Sequence, residues 1–181
     1  MPLSERLSEY VRACFTGIWI ESHEHEDAIQ EIAQLCHHES WRLATWDLEQ
    51  GLRVGGAQAA ADAGGHDPLA AIRSVNSLAA EDSSAVLVLV NFHRFLHSAE
   101  IVQALAKQLA HGKQNRTFVV ILSPIVQVPT ELEKLFVVIE HPLPGREQLE
   151  AIARGVATED HELPSGAELQ RQRCDPSEPD V

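Results

Sequence analysis

Three stretches carry side chains whose types and spacing could do chemistry. The first is His23-Glu24-His25-Glu26-Asp27, where imidazoles and carboxylates could share a divalent cation. Successive positions on a helix diverge by about 100°, and two histidines here do not form the usual i, i+4 pair. The run is expected to be a solvated helix start whose acids suit the positive end of the helix dipole, with His37-His38 closing the same helix at the negative end. The second is Asn91-Phe92-His93-Arg94-Phe95, in which two aromatic residues flank two cationic ones. One reading is a helix-entry turn with Phe92 and Phe95 packed in the core; the other is a docking surface that uses His93 and Arg94. The third is Ser123, a polar residue that ends an apolar run just before Pro124 and suits a turn. No Ser/His/Asp or Cys/His set has a local signature of nucleophilic catalysis. Cys14, Cys36 and Cys174 are scattered without C-x-x-C spacing, which argues against a thiolate zinc site or a disulfide framework.

The elements that must position these residues are legible as an alternation of strands and helices. Ala85-Val86-Leu87-Val88-Leu89-Val90 is an unbroken apolar run, the pattern of a strand buried on both faces, and it feeds directly into Asn91. Before it, the spacing predicts a helix from Ser4 to Phe15, capped by Ser4 with Leu7, Val11 and Cys14 inward. A strand over Thr16–Glu21 follows, then a helix over Glu24–His38 capped by Ser22, with Ala28, Ile32 and Leu35 inward. The next strand covers Trp41–Trp46 and stops at Asp47. Gln50–Asp67, rich in Gly and Ala, reads as a loop with one helical turn near Ala57–Ala63. Asp67-Pro68 starts a helix to about Ala80. After the central strand, Ser98–His111 is a helix ended by Gly112; Thr117–Leu122 is a strand, Glu131–Leu135 a short helix, Phe136–Glu140 a strand and Gly145–Val156 a last helix. Trp19, Trp41 and Trp46 are expected in the core or on the sheet faces. The sum is an α/β fold: a five-stranded parallel sheet with helices on both faces. The domain spans 1–163, and 164–181, a polar stretch without apolar periodicity, is expected to be a disordered tail.

Composition bounds the function. With 27 acidic against 14 basic residues, the net charge of −13 opposes nucleic acid as a partner. No stretch has the roughly 18 apolar residues that a membrane helix needs, and the first residues lack the apolar core of a signal peptide. No membrane partner and a cytoplasmic location are the expectations.

Several segments together resemble a known family. Glu133–Ile152, with Phe136-Val137-Val138-Ile139-Glu140 running into His141-Pro142-Leu143-Pro144, resembles the end of an AAA ATPase core. More closely, Asn91-Phe92-His93-Arg94-Phe95-Leu96, Ile121-Leu122-Ser123-Pro124, Val128-Pro129-Thr130-Glu131-Leu132-Glu133 and Pro142-Leu143-Pro144 resemble the amino-terminal half of the AAA ATPase family first named as a hypothetical chloroplast reading frame. The resemblance covers about Leu7 to Leu163. It implies a P-loop-NTPase-like core with strand order 5-1-4-3-2, and a working ATP-binding module in a second half that follows this region in that family.

Set against such a core, the catalytic parts are missing together. A P-loop needs G-x-x-x-x-G-K-[ST] after the first strand, because glycine lets backbone amides wrap the phosphates and lysine neutralises them. This chain has Glu21-Ser22-His23-Glu24-His25-Glu26-Asp27 there, whose four carboxylates would repel a triphosphate. The acidic pair expected after the third strand is Asn91-Phe92, and no arginine lies between Arg116 and Arg146 to serve as a finger. The reading is a non-catalytic, degenerate AAA-like domain with a regulatory or protein-interaction role, and no catalytic, cofactor or metal residues. Its candidate interaction surface is Asn91, Phe92, His93, Arg94 and Ser123. The expected partner is an AAA ATPase module or a second copy of the chain. Two alternatives are an amino-terminal part of an ATP-binding AAA ATPase whose activity lies in the other half, and a nucleotide-binding domain that works without a P-loop.

Overall fold

The computed structural model describes residues 2–55, 57–58, 65–79 and 83–142. The expected last helix and polar tail lie outside the described residues. Helix α1 (Leu3–Arg12) buries Leu3, Leu7 and Val11 at four-residue spacing, one stripe along its length. Strand β1 (Gly17–Glu21) follows, then α2 (His25–His38), β2 (Arg42–Asp47), β3 (Gly51–Val54), β4 (Ala57–Gln58), α3 (Pro68–Leu78), β5 (Ala85–Val90), a 3₁₀ turn (Phe92–Phe95), α4 (Ala99–Asn115), β6 (Thr117–Ser123) and β7 (Phe136–Glu140).

The sheet has seven strands in the order β4-β3-β2-β5-β6-β1-β7, which corrects the expected five; its five parallel strands keep the expected 5-1-4-3-2 succession as β7-β1-β6-β5-β2, and the overall order differs by the two strands added beyond β2. The parallel strands β2, β5, β6, β1 and β7 are successive neighbours, and the two further strands come from the segment expected to be a loop. There Asp47 does not merely stop β2. Its carboxylate accepts the amides of Glu49 and Gln50 at 2.9 and 2.6 Å, which turns the chain back, and Gly51 takes a φ of 70° that favours glycine. β3 then pairs antiparallel with β2, and β4 with β3. The helical turn expected near Ala57–Ala63 is replaced at Ala57–Gln58 by β4.

β5 sits at the centre of the sheet, its residues Ala85 to Leu89 fully buried. Because strand side chains alternate, Val86 and Val88 face α1 and α2 while Leu87 and Leu89 face α3 and α4. The two cores are therefore separate layers on either side of one sheet. Trp19 and Trp46 are buried in the α3/α4 layer, and Trp41 is half-buried against the other.

Several local expectations change for identifiable reasons. Ser4 does not cap α1: Pro2 holds that position without a side-chain bond, and the Ser4 amide is met instead by Glu31 Oε1 of α2 at 2.8 Å. α1 ends early, so Cys14 lies past it in a left-handed turn, exposed rather than inward. Glu24 occupies the cap position of α2 without a side-chain bond, and Cys36, not Leu35, completes its buried stripe. Asp67 does cap α3, accepting the amides of Leu69 and Ala70, with Pro68 in the first turn. Residues 131–135 form turns rather than a helix.

Gly112 does not end α4, which runs on to Asn115 and closes at Arg116 in the left-handed region. Glycine is required at 112 for proximity: a Cβ there would collide with the Thr117 carbonyl oxygen and stand 3.0 Å from Thr16 Cγ2. Gly112→Ala raises helix propensity by about 1 kcal/mol. Overpacking against rigid backbone costs about 1–3 kcal/mol. The variant is expected to lower the melting temperature by several degrees in a thermal scan followed by circular dichroism; an unchanged or higher value would contradict the close-approach account.

Candidate functional site

At the carboxyl edge of the sheet the turns leaving neighbouring strands are joined to one another. The Ser22 amide donates to Ser123 O at 2.9 Å, the Asn91 amide to Leu122 O at 2.8 Å and the His141 amide to Glu21 O at 2.9 Å. Each bond extends the ladder one residue past the strand that it leaves. Ser22 Oγ lies 2.8 Å from His141 Nδ1 and accepts the Glu24 amide at 3.1 Å. His141 Nε2 in turn stands 3.7 Å from Glu31 Oε2. At the start of α2, where a phosphate would dock in a nucleotide-binding α/β protein, the Glu24 amide is thus taken by Ser22 Oγ, and the helix begins without a side-chain cap. Glu24, Glu26 and Asp27 stand exposed around it.

Asn91 leaves β5 with φ 54° and ψ 26°, a left-handed conformation that asparagine tolerates better than most residues. It turns the chain into the 3₁₀ helix, where residues three apart share a face. Phe92 and Phe95 use that face to meet Trp46 edge-on, with ring centroids 5.4 and 5.7 Å away. The Trp46 indole N–H is satisfied by Gly65 O at 2.9 Å. The opposite side of the turn carries His93, half-buried, and Arg94, exposed.

His93 Nδ1 is buried without a hydrogen-bond partner, and so is His25 Nε2 across the edge. Burial pushes the His93 pKa below its ordinary value, with the Arg94 charge and His25 adding to the effect. Burial likewise lowers His25, partly offset by a backbone bond at Ser22. Both rings are therefore neutral at neutral pH, and Arg94 supplies the fixed positive charge of this turn.

Ser123 is buried and structural. Its hydroxyl accepts the Trp19 indole N–H at 3.0 Å and donates to Ile125 O at 2.7 Å, while the same indole reaches Ile125 O at 3.2 Å. This chain of bonds pins the loop after β6 and leaves Ile125 and Val126 41% and 36% exposed. Between that loop and the 3₁₀ turn runs an open groove of about 760 Å³, lined by His93, Arg94 and His97 on one side and Ile125, Val128 and Pro129 on the other. A second hollow of about 510 Å³ shares Leu96, His97 and Pro129 with it and continues along α4 past Val102 and Ala106.

Of the five residues expected to form a surface, the structure brings Asn91, His93 and Arg94 to one accessible turn. Phe92 and Ser123 stand behind it as internal supports. The groove's apolar wall was not anticipated. Its signal is Ile125-Val126 followed by Val128-Pro129, aliphatic residues between Pro124 and Pro129 where neither helix nor strand would bury them.

Among the described residues no three His, Cys, Asp or Glu side chains gather as a metal-binding set, and no helix is long and apolar enough to cross a membrane. A comparison with curated proteins finds no match to this sequence. Residues 3–141, from the first turn of α1 to the residue after β7, match the family described as SpoVK-like AAA ATPase, N-terminal domain. That span takes in every described strand and helix, and the chain belongs to this family of AAA ATPase amino-terminal domains.

Proposed function

We infer that this domain is a non-catalytic interaction module of an AAA ATPase, acting as a regulator by docking through the carboxyl edge of its sheet. The observation that carries the reading is the groove between Arg94 and Ile125: an exposed aliphatic side chain on a hydrogen-bonded loop, with Val128 and Pro129 beside it, across from a fixed cation. A mixed apolar and charged face of this kind suits a protein partner, with the charge guiding encounter and the apolar residues supplying contact area. The partner is an AAA ATPase module, joined to this domain in one chain or meeting it from another; a second copy of this chain is the alternative. The setting is cytoplasmic.

The residues at each catalytic position support the absence of ATPase activity in this domain. β1 passes to α2 through Ser22, His23 and Glu24, without the glycines and lysine of a phosphate cradle. β5 ends in an amide, Asn91, where magnesium would need a carboxylate. The succession β7-β1-β6-β5-β2 of the parallel strands supports descent from an AAA-like core that has lost these parts. Kinship with the family first named as a hypothetical chloroplast reading frame rests on the segments around Asn91, Ser123, Val128 and Pro142.

Two outcomes are expected. Calorimetric titration with Mg-ATP at physiological salt gives no micromolar binding, and Asn91→Asp does not create it, because nothing holds the phosphates; micromolar affinity in either protein would reject the reading. Titration with a recombinant AAA module of a SpoVK-like ATPase from the same organism gives binding that the double variant Arg94→Ala, Ile125→Asp weakens by at least about tenfold, the scale of a central contact residue. Circular dichroism checks that the variant is folded. Unchanged affinity would place the docking face elsewhere.

A further inference from the structure

The hairpin that lengthens the sheet also creates a hollow on its other side. Leu43 and Thr45 of β2 stand in register with Val86 and Val88 of β5, so they share the face covered by α1 and α2. Arg53 of β3 is the cross-strand partner of Thr45 and points to that face as well. Helices α3 and α4 pack on the opposite layer. A cavity of about 660 Å³ therefore opens beside α2, with Ile29 and Ala33 as one wall, Trp41, Leu43 and Thr45 in the floor, and Arg53 at the hairpin side. Its volume falls within the range of small-molecule sites, about 300–1,000 Å³.

The chemistry of this hollow is uneven. Its lining is largely aliphatic and aromatic, yet it includes a guanidinium whose Nε is buried and has no hydrogen-bond partner. Among the described residues no carboxylate forms an ion pair with Arg53. Arg42, also on the lining, donates only a long bond of 3.4 Å to Leu78 O. A buried donor left unmet is costly, and a guanidinium is the side chain best shaped to take a carboxylate by two parallel bonds. An occupant that satisfies both halves of the site has a carboxylate head and an apolar body.

We propose that this cavity binds a small amphipathic monocarboxylate, its head on Arg53 and its aliphatic body between Ile29, Ala33 and Leu43. The site lies on the opposite face of the sheet's hairpin edge from the aromatic cluster of Trp46, and it does not depend on the docking role of the groove. Decanoate is the probe. Titrated into the full chain below its micellar range and followed by calorimetry and by Trp41-sensitive fluorescence, it is expected to bind saturably at one molecule per chain. Decanol, with the same body and no charge, binds at least tenfold more weakly. Arg53→Gln removes at least tenfold of the decanoate affinity, and Ala33→Phe, which fills the wall, abolishes it, both with parental circular dichroism. The comparison of decanoate with decanol on the parent chain needs no variant. No saturable binding, equal binding of decanol, or full affinity in folded Arg53→Gln would overturn the proposal. So would binding of a short peptide with a carboxyl-terminal leucine in place of decanoate, since it would assign the cavity to a protein terminus.

Discussion

Burying Trp19 takes an indole N–H out of water, and leaving such a donor unmet costs about 1–3 kcal/mol. The chain meets it with Ser123 Oγ, at the end of the neighbouring strand β6, and Ile125 O, in the loop just after it. Those acceptors are available only if the backbone turns immediately after Ser123. The turn then carries Ile125 and Val126 outward while Val128 and Pro129 fold back along α4. A single internal donor thereby sets the shape of the loop that forms one wall of the groove. The other wall is set in the same manner, by Phe92 and Phe95 packing on Trp46 and holding His93 and Arg94 on the free side of a short 3₁₀ helix.

This use of the carboxyl edge differs from that of a nucleotide-binding α/β domain, where the edge is a crevice lined by free backbone amides. Here the amides of Ser22, Asn91 and His141 are spent on the adjacent strands, and the Glu24 amide on Ser22 Oγ. These turns are fastened to the sheet by the chain itself, although α2 starts without a side-chain cap. What the edge displays is a side-chain surface, and side-chain surfaces of mixed polarity are the means by which proteins recognise proteins. Function is thus carried by turns that are rigid because the groups behind them are buried and paired.

The buried apolar run at β5 and the alternation of strands with helices were legible because they depend on local hydrophobic pattern. So was the inward packing open to Phe92 and Phe95, since aromatic residues three apart can share one face of a turn, although Phe92 was also expected on the surface. β3 and β4 were hidden by composition: Gly51, Gly55 and the alanines signal a loop, and only the Asp47 turn and pairing with β2 make the segment extended. Gly112 misled for the opposite reason, as a glycine kept for close approach to Thr117 rather than for chain reversal. Ser123 closes β6 rather than standing in the turn after it, and its partner Trp19 is 104 residues away, beyond any local pattern. The Arg53 cavity was invisible for the same reason, because it exists only once β3 is in the sheet.

The central claim is that the carboxyl-edge turns are fastened to the sheet as firmly as the strands themselves. Amide hydrogen exchange of the intact chain, resolved by residue with NMR, tests it most directly. The account predicts that the Ser22, Asn91 and His141 amides exchange as slowly as those of Val86 to Leu89 in β5, opening only with the domain. Exchange at these three positions as fast as at the exposed turn of Glu49 and Gln50 would contradict it, for the edge would then be an open crevice rather than a formed surface.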